Sequence, residues 1–412
     1  MAQGKGCARF GSALLGLALV AHFSSSVAAA VTEPAQVHVA SALLDEAIRG
    51  ALPARLDLPR ALADAAFAGA RTANLAELRF CGVGEAGAGR FRAVILQNNV
   101  GNVQSLLTIR GSCQVSLGEL AEPAATLVGE GQSLVIADVE AAVTGGELKF
   151  WLVHAVAVHG GARSGGPVRF DKRTEMGTLP TSVLQLDLAG AGMFSHLVPT
   201  FGERSVGLAV SVSENPKDKG ASPARGVPSP NGVLHGKATL VAEVPLATLN
   251  LILGRLSSPK PLTVALQGDS IDLRTISVQT VGGAASKVRV TGTATPQSIR
   301  ETVAWTLDLA GDPLLVASVR AEAQLEDCAG QATLAGIACD LRNGARVAAA
   351  QGFASALTNR YGGRPVHELI SPIDTHFPVA GRCIHVSGDV LRIAAGRTGI
   401  SAACNVSAAA DE

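Results

Sequence analysis

Alternation of apolar and polar residues over long runs limits this chain more than anything else in it. Val135, Ala137, Val139, Ala141 and Val143 fall on one side of an extended segment, with Asp138, Glu140 and Thr144 on the other. A period of two places a strand with one face buried, whereas a helix would need apolar residues three and four apart. Gly145-Gly146 supplies the positive φ of a tight reversal. The return strand then sets Leu148, Phe150, Leu152, Val156 and Val158 on one face. Strands of about ten residues exceed the usual ~5–6 and suit a large, curved antiparallel sheet.

The pattern recurs. Further strands are expected at 184–188, 206–212, 234–244, 262–266, 271–278, 288–295, 305–309, 314–325, 382–386 and 390–393. Helices are few. Ser41 is placed to cap one over 42–52, and Pro59 suits the first turn of another over 59–70. Pro245 opens the segment LATLNLILGRL. The longest helix is expected from Ala345 to Tyr361, where Val347, Ala350, Ala354, Leu357 and Tyr361 recur at spacings of three and four before Gly362-Gly363 and Pro365. The expected class is α+β and β-rich, with two lobes of long, curved antiparallel sheet each packed on one or two helices. Residues 214–231, ENPKDKGASPARGVPSPN, carry four prolines and no apolar period. They divide an N-terminal lobe (31–213) from a C-terminal one (233–412), with 214–232 as linker or long loop.

The first thirty residues read as a secretory signal. Lys5 and Arg9 precede the apolar run Phe10 to Phe23, and SVAAA at 26–30 offers Ala28-x-Ala30 for cleavage. The run is too short to span a bilayer core of about 30 Å, so no integral span is expected after cleavage. Export to the periplasm or the extracellular space follows. Cysteine usage agrees with it. Cys7 leaves with the signal, and Cys81, Cys113, Cys328, Cys339, Cys383 and Cys404 remain. An even number in an oxidising compartment points to disulfides. Proximity in sequence favours Cys81–Cys113, Cys328–Cys339 and Cys383–Cys404, each contributing about 2–4 kcal/mol by restricting the unfolded chain. A metal site would want CxxC pairs or clustered histidines, and the sequence has no CxxC.

Composition excludes some functions. Lys5 and Arg9 are the only charged side chains of the signal, so the 34 basic and 34 acidic residues of the chain become a balance two units to the acidic side. Such a chain has no electrostatic reason to seek nucleic acid. Aromatics are 3% of residues, too few for carbohydrate-stacking platforms. No GxSxG, HExxH or Walker loop is present, and no dinucleotide-binding GxGxxG stands between a strand and a helix, so neither an enzyme nor a cofactor is expected. Ser257-Ser258-Pro259-Lys260 has the spelling of SxxK, but Pro259 interrupts the helical turn that chemistry needs. His154 and His159, five apart on one strand, point to opposite faces and share no ion. Asp374 and His376 fall on one side of an extended segment bracketed by Pro372 and Pro378, which reads as an ordered loop.

Each half opens alike, with a short strand running into an apolar helix: QVHVASALLDEAI at 36–48 and AEVPLATLNLIL at 242–253. With the long strands GDSIDLRTISVQT and SKVRVTGTAT that follow the second opening, this two-fold pattern resembles the tubular lipid-binding superfamily, which includes the bactericidal/permeability-increasing-like proteins. The resemblance would cover most of residues 36–405. It implies a highly curved antiparallel sheet wrapped on a long helix, around an elongated apolar cavity for acyl chains. The implied function is an exported cell-envelope protein that binds or carries a lipid or other apolar ligand. Leu43, Leu44 and Ile48 in the first half, and Leu246, Leu249, Ile252 and Leu253 in the second, would face that lining. The alternative is a structural or adhesion-type β protein without a ligand cavity. Sequence names no protein partner.

Overall fold

The computed structural model describes residues 34–43, 45, 56–58, 60, 63–64, 71–84, 87–97, 113–144, 147–160, 168–170, 173–180, 184–186, 193–213, 236–256, 262–266, 269–281, 287–296, 302–329, 333–379, 382–396 and 399–410. The proposed signal, the Gly145-Gly146 turn and the 214–232 linker lie outside them.

The first half opens with β1 (Ala35–Ala40), which turns into helix at 41–43. Next come β2 (Leu56–Asp57), β3 (Thr72–Val83), β4 (Gly89–Gln97), α1 (Leu117–Ala125), β5 (Ser133–Thr144), β6 (Glu147–His159), β7 (Val168–Phe170) and β8 (Thr174–Pro180). β2 to β7 pair in sequence order, and β8, beside β6, completes a seven-stranded antiparallel sheet. β9 (Leu184–Leu186), β10 (Met193–Phe201) and β11 (Ser205–Ser213) close the half. The second half repeats the plan. β12 (Leu240–Pro245) runs into α2 (Leu246–Leu256), followed by a five-stranded sheet of β13 (Leu262–Leu266), β14 (Asp269–Thr280), β15 (Lys287–Pro296), β16 (Val303–Ala310) and β17 (Leu315–Ala323). Then come α3 (Thr333–Tyr361), a 3-10 turn at Val366–Leu369, β18 (Ile373–Val379), β19 (Arg382–Ala395) and β20 (Gly399–Ala410).

The closing strands of both halves join in one eight-stranded sheet, in the order β18-β19-β20-β12-β1-β11-β10-β9. Its middle pair is β1 and β12, the two strands that open the halves. They run antiparallel with Val37 opposite Ala242 and His38 opposite Val241. Val37 and Ala242 each stand three residues before the end of their strand. A local two-fold axis therefore passes between them. The outer neighbours obey the same relation: Ser205, the first residue of β11, faces Ala40, and Gly399, the first of β20, faces Pro245.

Packing explains where alternation holds and where it breaks. On one side of the seven-stranded sheet Val135, Ala137, Val139, Ala141 and Leu152 form a core with Phe80 and Phe91. Phe201 of β10 stacks on Phe80 and meets Phe91 edge to face, which ties this sheet to the central one. Gly89 permits that approach, since a Cβ there would stand 2.4 Å from the Phe201 ring. The other side is also buried: Val94, Leu134, Ile136, Val156 and Val158 pack beneath Leu120 and Ala124 of α1. Sequence alternation set Leu152, Val156 and Val158 on one face. A bulge opposite Asp138/Val139 shifts the register of β6, so Ala155 and Ala157 continue the face of Leu152 while Val156 and Val158 turn to α1.

α1 itself was not legible in the hydrophobic pattern. Ser116 and Glu119 form a reciprocal capping box at its start, with Pro123 inside it. Arg92 secures the approach to α1. It donates from Nε to Asp138 Oδ1 at 2.8 Å and from Nη1 to the Val115 carbonyl at 2.6 Å.

Three further expectations change. α3 begins at Thr333 rather than Ala345, because contacts other than apolar packing hold its first turns. The 382–386 and 390–393 segments are one strand, β19, kinked by a bulge between Val390 and Arg392. The Asp374–His376 segment is β18 in the central sheet, not a loop.

Two expected disulfides form, Cys81–Cys113 and Cys328–Cys339, with Cα separations of 5.3 Å and 5.8 Å. The third does not. Cys404 is a buried free thiol. It lies opposite Val390, whereas Cys383 lies opposite Pro378 at the far end of β19. That is about 20 Å at ~3.3 Å per residue, well beyond the ~7 Å Cα limit for a bridge. Burial pushes the Cys404 thiol up to about 11, so it stays protonated and unreactive at neutral pH. Non-reducing peptide mapping should recover Cys81–Cys113 and Cys328–Cys339. Iodoacetamide should label Cys404 only after denaturation; labelling of the native protein would contradict this packing.

Candidate functional site

The two strand-to-helix junctions deliver their apolar residues to one place. Leu43, just past β1, and Leu249 and Leu253 of α2 are all buried in the cluster built on Ile276, Val288, Trp305 and Ile400. Leu246 packs against that cluster and Ile252 is half-buried. Leu44 and Ile48 lie outside the described residues. α2 is fixed on β14 by Asn250, whose amide donates to the Val278 carbonyl and accepts from the Val278 N–H, each at 2.9 Å. Such a two-point grip lets a polar side chain finish a strand's hydrogen bonding where a helix crosses it.

A second feature is exposed. α3 is 29 residues long. Cys339, Asn343, Arg346, Ala350 and Phe353 recur at three and four along one face, with Tyr361 two turns further on. Of these, Ala350 lies in the cluster while Phe353 and Tyr361 pack against it. Leu334, Ile337 and Leu341 recur on the opposite face and are 83%, 53% and 70% exposed. The first turns are held by a polar and covalent clasp. Cys339 is bridged to Cys328, and the Asn343 amide donates to the Glu326 carbonyl and accepts from the Glu326 N–H, each at 2.9 Å. Glu326 also accepts from Arg342 at 3.2 Å and Arg346 at 2.8 Å, and these bonds hold its carboxyl below the usual range. None of those contacts needs the stripe, which is left facing out.

A third feature is a row of polar groups across the β1–β12 seam. His38, Gly207 and Thr200 stand side by side on β1, β11 and β10. Gln36 lies two residues from His38 on the same face, opposite Glu243 of β12. His38 is 1% exposed. Among the described residues His38 Nδ1, Gln36 Oε1 and Thr200 Oγ1 are buried without a hydrogen-bond partner. Gly207 makes room for the two side chains beside it: a Cβ there would fall 2.3 Å from Thr200 Oγ1 and 3.4 Å from His38 Nδ1. Sequence reasoning missed this row. Its only trace was a pair of polar residues in a strand whose neighbours are valine and alanine.

Two other histidines have ordinary partners, while His367 Nδ1 is, among the described residues, buried without one. His159 Nδ1 lies 2.8 Å from Ser133 Oγ, on the face opposite exposed His154. Asp374 meets His385 of β19, Nε2 to Oδ1 at 2.7 Å, so the imidazole beside that acid is not the one expected from sequence spacing. Ser257 to Lys260 lie outside the described residues. Among the described residues no group of three His, Cys, Asp or Glu side chains is placed to hold a metal ion, and no helix is long and apolar enough to cross a membrane.

No protein-family model matches the chain, and no curated protein does. Among solved structures it is similar to P47 of Clostridium botulinum E1, at a TM-score of 0.28 and 7% identity, over 90% of this chain and 98% of that one. A likeness at that level says nothing of what this chain binds.

The apolar cluster is close-packed where the two junctions meet. Leu253→Ala should lower the unfolding free energy by about 2–5 kcal/mol, read as a fall in the urea midpoint. A loss below about 1 kcal/mol would mean that the side chain faces a space able to collapse or fill.

Proposed function

We propose that this chain is an exported cell-envelope protein of the tubular lipid-binding kind, two lobes sharing a central sheet, that binds or carries a lipid or other apolar ligand. The observation that carries this reading is the outward face of α3. Leu334, Ile337 and Leu341 stand one turn apart with more than half of each side chain in water. A soluble protein rarely leaves large aliphatics in a continuous row unless something apolar meets them. Each such side chain, once covered, contributes about 1.5–3 kcal/mol.

Two other features support the reading. The openings of both halves pair side by side about a local two-fold axis, which supports a two-fold plan. Two disulfides agree with an oxidising compartment. An acyl chain fits the α3 face better than an ionic partner does, because the stripe itself carries no charge and the arginines beside it are already engaged with Glu326.

Solvent extraction and mass spectrometry of mature protein, purified without detergent from an oxidising compartment, test this directly. Stoichiometric acyl lipid is expected, and Leu334→Ser with Leu341→Ser should strip most of it while the fold is retained. A folded wild-type protein free of lipid would overturn the reading and leave a structural or adhesion-type β protein.

A further inference from the structure

The polar row at the seam goes beyond lipid binding and stands independently of it. β1 is the strand through which the two halves of the central sheet are joined, since it pairs with β11 of its own half and β12 of the other. At its centre sits an imidazole that is 1% exposed, with Nδ1 unpartnered among the described residues. The neighbouring register positions on this face are Gly207 and Ser205 of β11, Thr200 of β10 and Val241 of β12, none of which ionises. The ionisable residues on this face of the neighbouring strands are Glu243 of β12, opposite Gln36, and His196 of β10, at the register position facing Ser211. Glu203 and Arg204 are exposed in the β10–β11 turn. Among the described residues no acceptor is in place at Nδ1 for a second N–H on the ring, and a buried charge without a hydrogen-bonded partner is costly.

We propose that His38 makes the β1–β12 seam a pH-sensitive joint, closed while the imidazole is neutral and loosened when it takes a proton. Burial pushes the His38 imidazole below its ordinary value, and the Glu243 carboxylate pulls it back in part. The sign follows from linkage. Exposed in the opened or unfolded chain, the ring titrates near ~6.5. The stabilisation from burying it neutral is therefore full above that pH and is lost as pH falls below it. The strands on either side of His38 feel this first, because the proton is accommodated only if the imidazole leaves the slot above Gly207.

Hydrogen–deuterium exchange of the full mature chain at pH 7.5 and 5.0, corrected for intrinsic exchange, reads the joint. Amides of β1 and β12 should lose protection at pH 5.0 while those of β15 and β16 keep theirs. His38→Leu and His38→Gln each remove the ionisable ring, the second retaining a polar side chain, and either should abolish that selective loss. Glu243→Gln removes the charge that favours the imidazolium and should deepen it. Unchanged protection of β1 and β12 in the wild type would overturn the proposal, as would an equal loss in both His38 variants. Neither result depends on whether lipid is bound.

Discussion

Antiparallel pairing of β1 with β12 is the contact on which the remainder of the molecule depends. Each strand opens a half and each runs directly into a helix, so pairing them fixes the starting point of both α2 and the 41–43 turn at once. Because the axis passes between Val37 and Ala242, the two helices leave the seam at equivalent positions. Leu43 thereby reaches the cluster that holds Leu249 and Leu253, although it belongs to the other half of the chain. Slipping the pair by one residue would turn Val37 and Val39 out of that side and put His38 in their place. The seam is thus both a fastening and a register gauge, and its cost is a set of polar atoms with no partner on the opposite face.

The sheets on either side of the seam solve the burial problem differently. The seven-stranded sheet is buried on both sides over part of its area, with phenylalanines and alanines on one side and α1 on the other. A straight β6 could not serve both layers, since its apolar residues at 148, 150, 152, 156 and 158 share one parity. The bulge near Val153 changes that parity halfway along, giving the first part of the strand to one layer and the last part to the other. The five-stranded sheet has no such change in β16, where Val303, Trp305 and Leu309 keep one face. Its extra residues fall instead in β14, at Arg274, and in β17, at Ala317.

What sequence revealed follows from how local each determinant is. β5, β13 to β16 and α2 were visible because their own residues carry the period and the punctuation. β20 was invisible: SAACNVSAAA offers alanine and serine in place of branched residues, and only pairing with β12 and β19 makes it a strand. β18 was hidden behind Pro372 and Pro378, yet it is the edge strand of its sheet, where a missing N–H is tolerated. The candidate lining residues were legible as apolar helix positions. Their convergence was not, because it depends on a contact between residues some two hundred positions apart. The third disulfide failed for a related reason: closeness in sequence stood in for closeness in space, and a long extended strand makes the two opposite.

α3 carries the same lesson into the site. A helix held only by burial turns its apolar stripe inward, because that is where the free energy is gained. The second half of α3 obeys this through Ala350, Phe353 and Tyr361. The first half departs from it. Cys328–Cys339, the Asn343 grip on Glu326 and the two arginines act on the side away from Leu334, Ile337 and Leu341, and they fix the rotation of the helix about its axis. A covalent bond and directional hydrogen bonds can hold an orientation that hydrophobic packing alone would not choose. Such fasteners let a helix keep an apolar face outward, the arrangement that the proposed ligand would require.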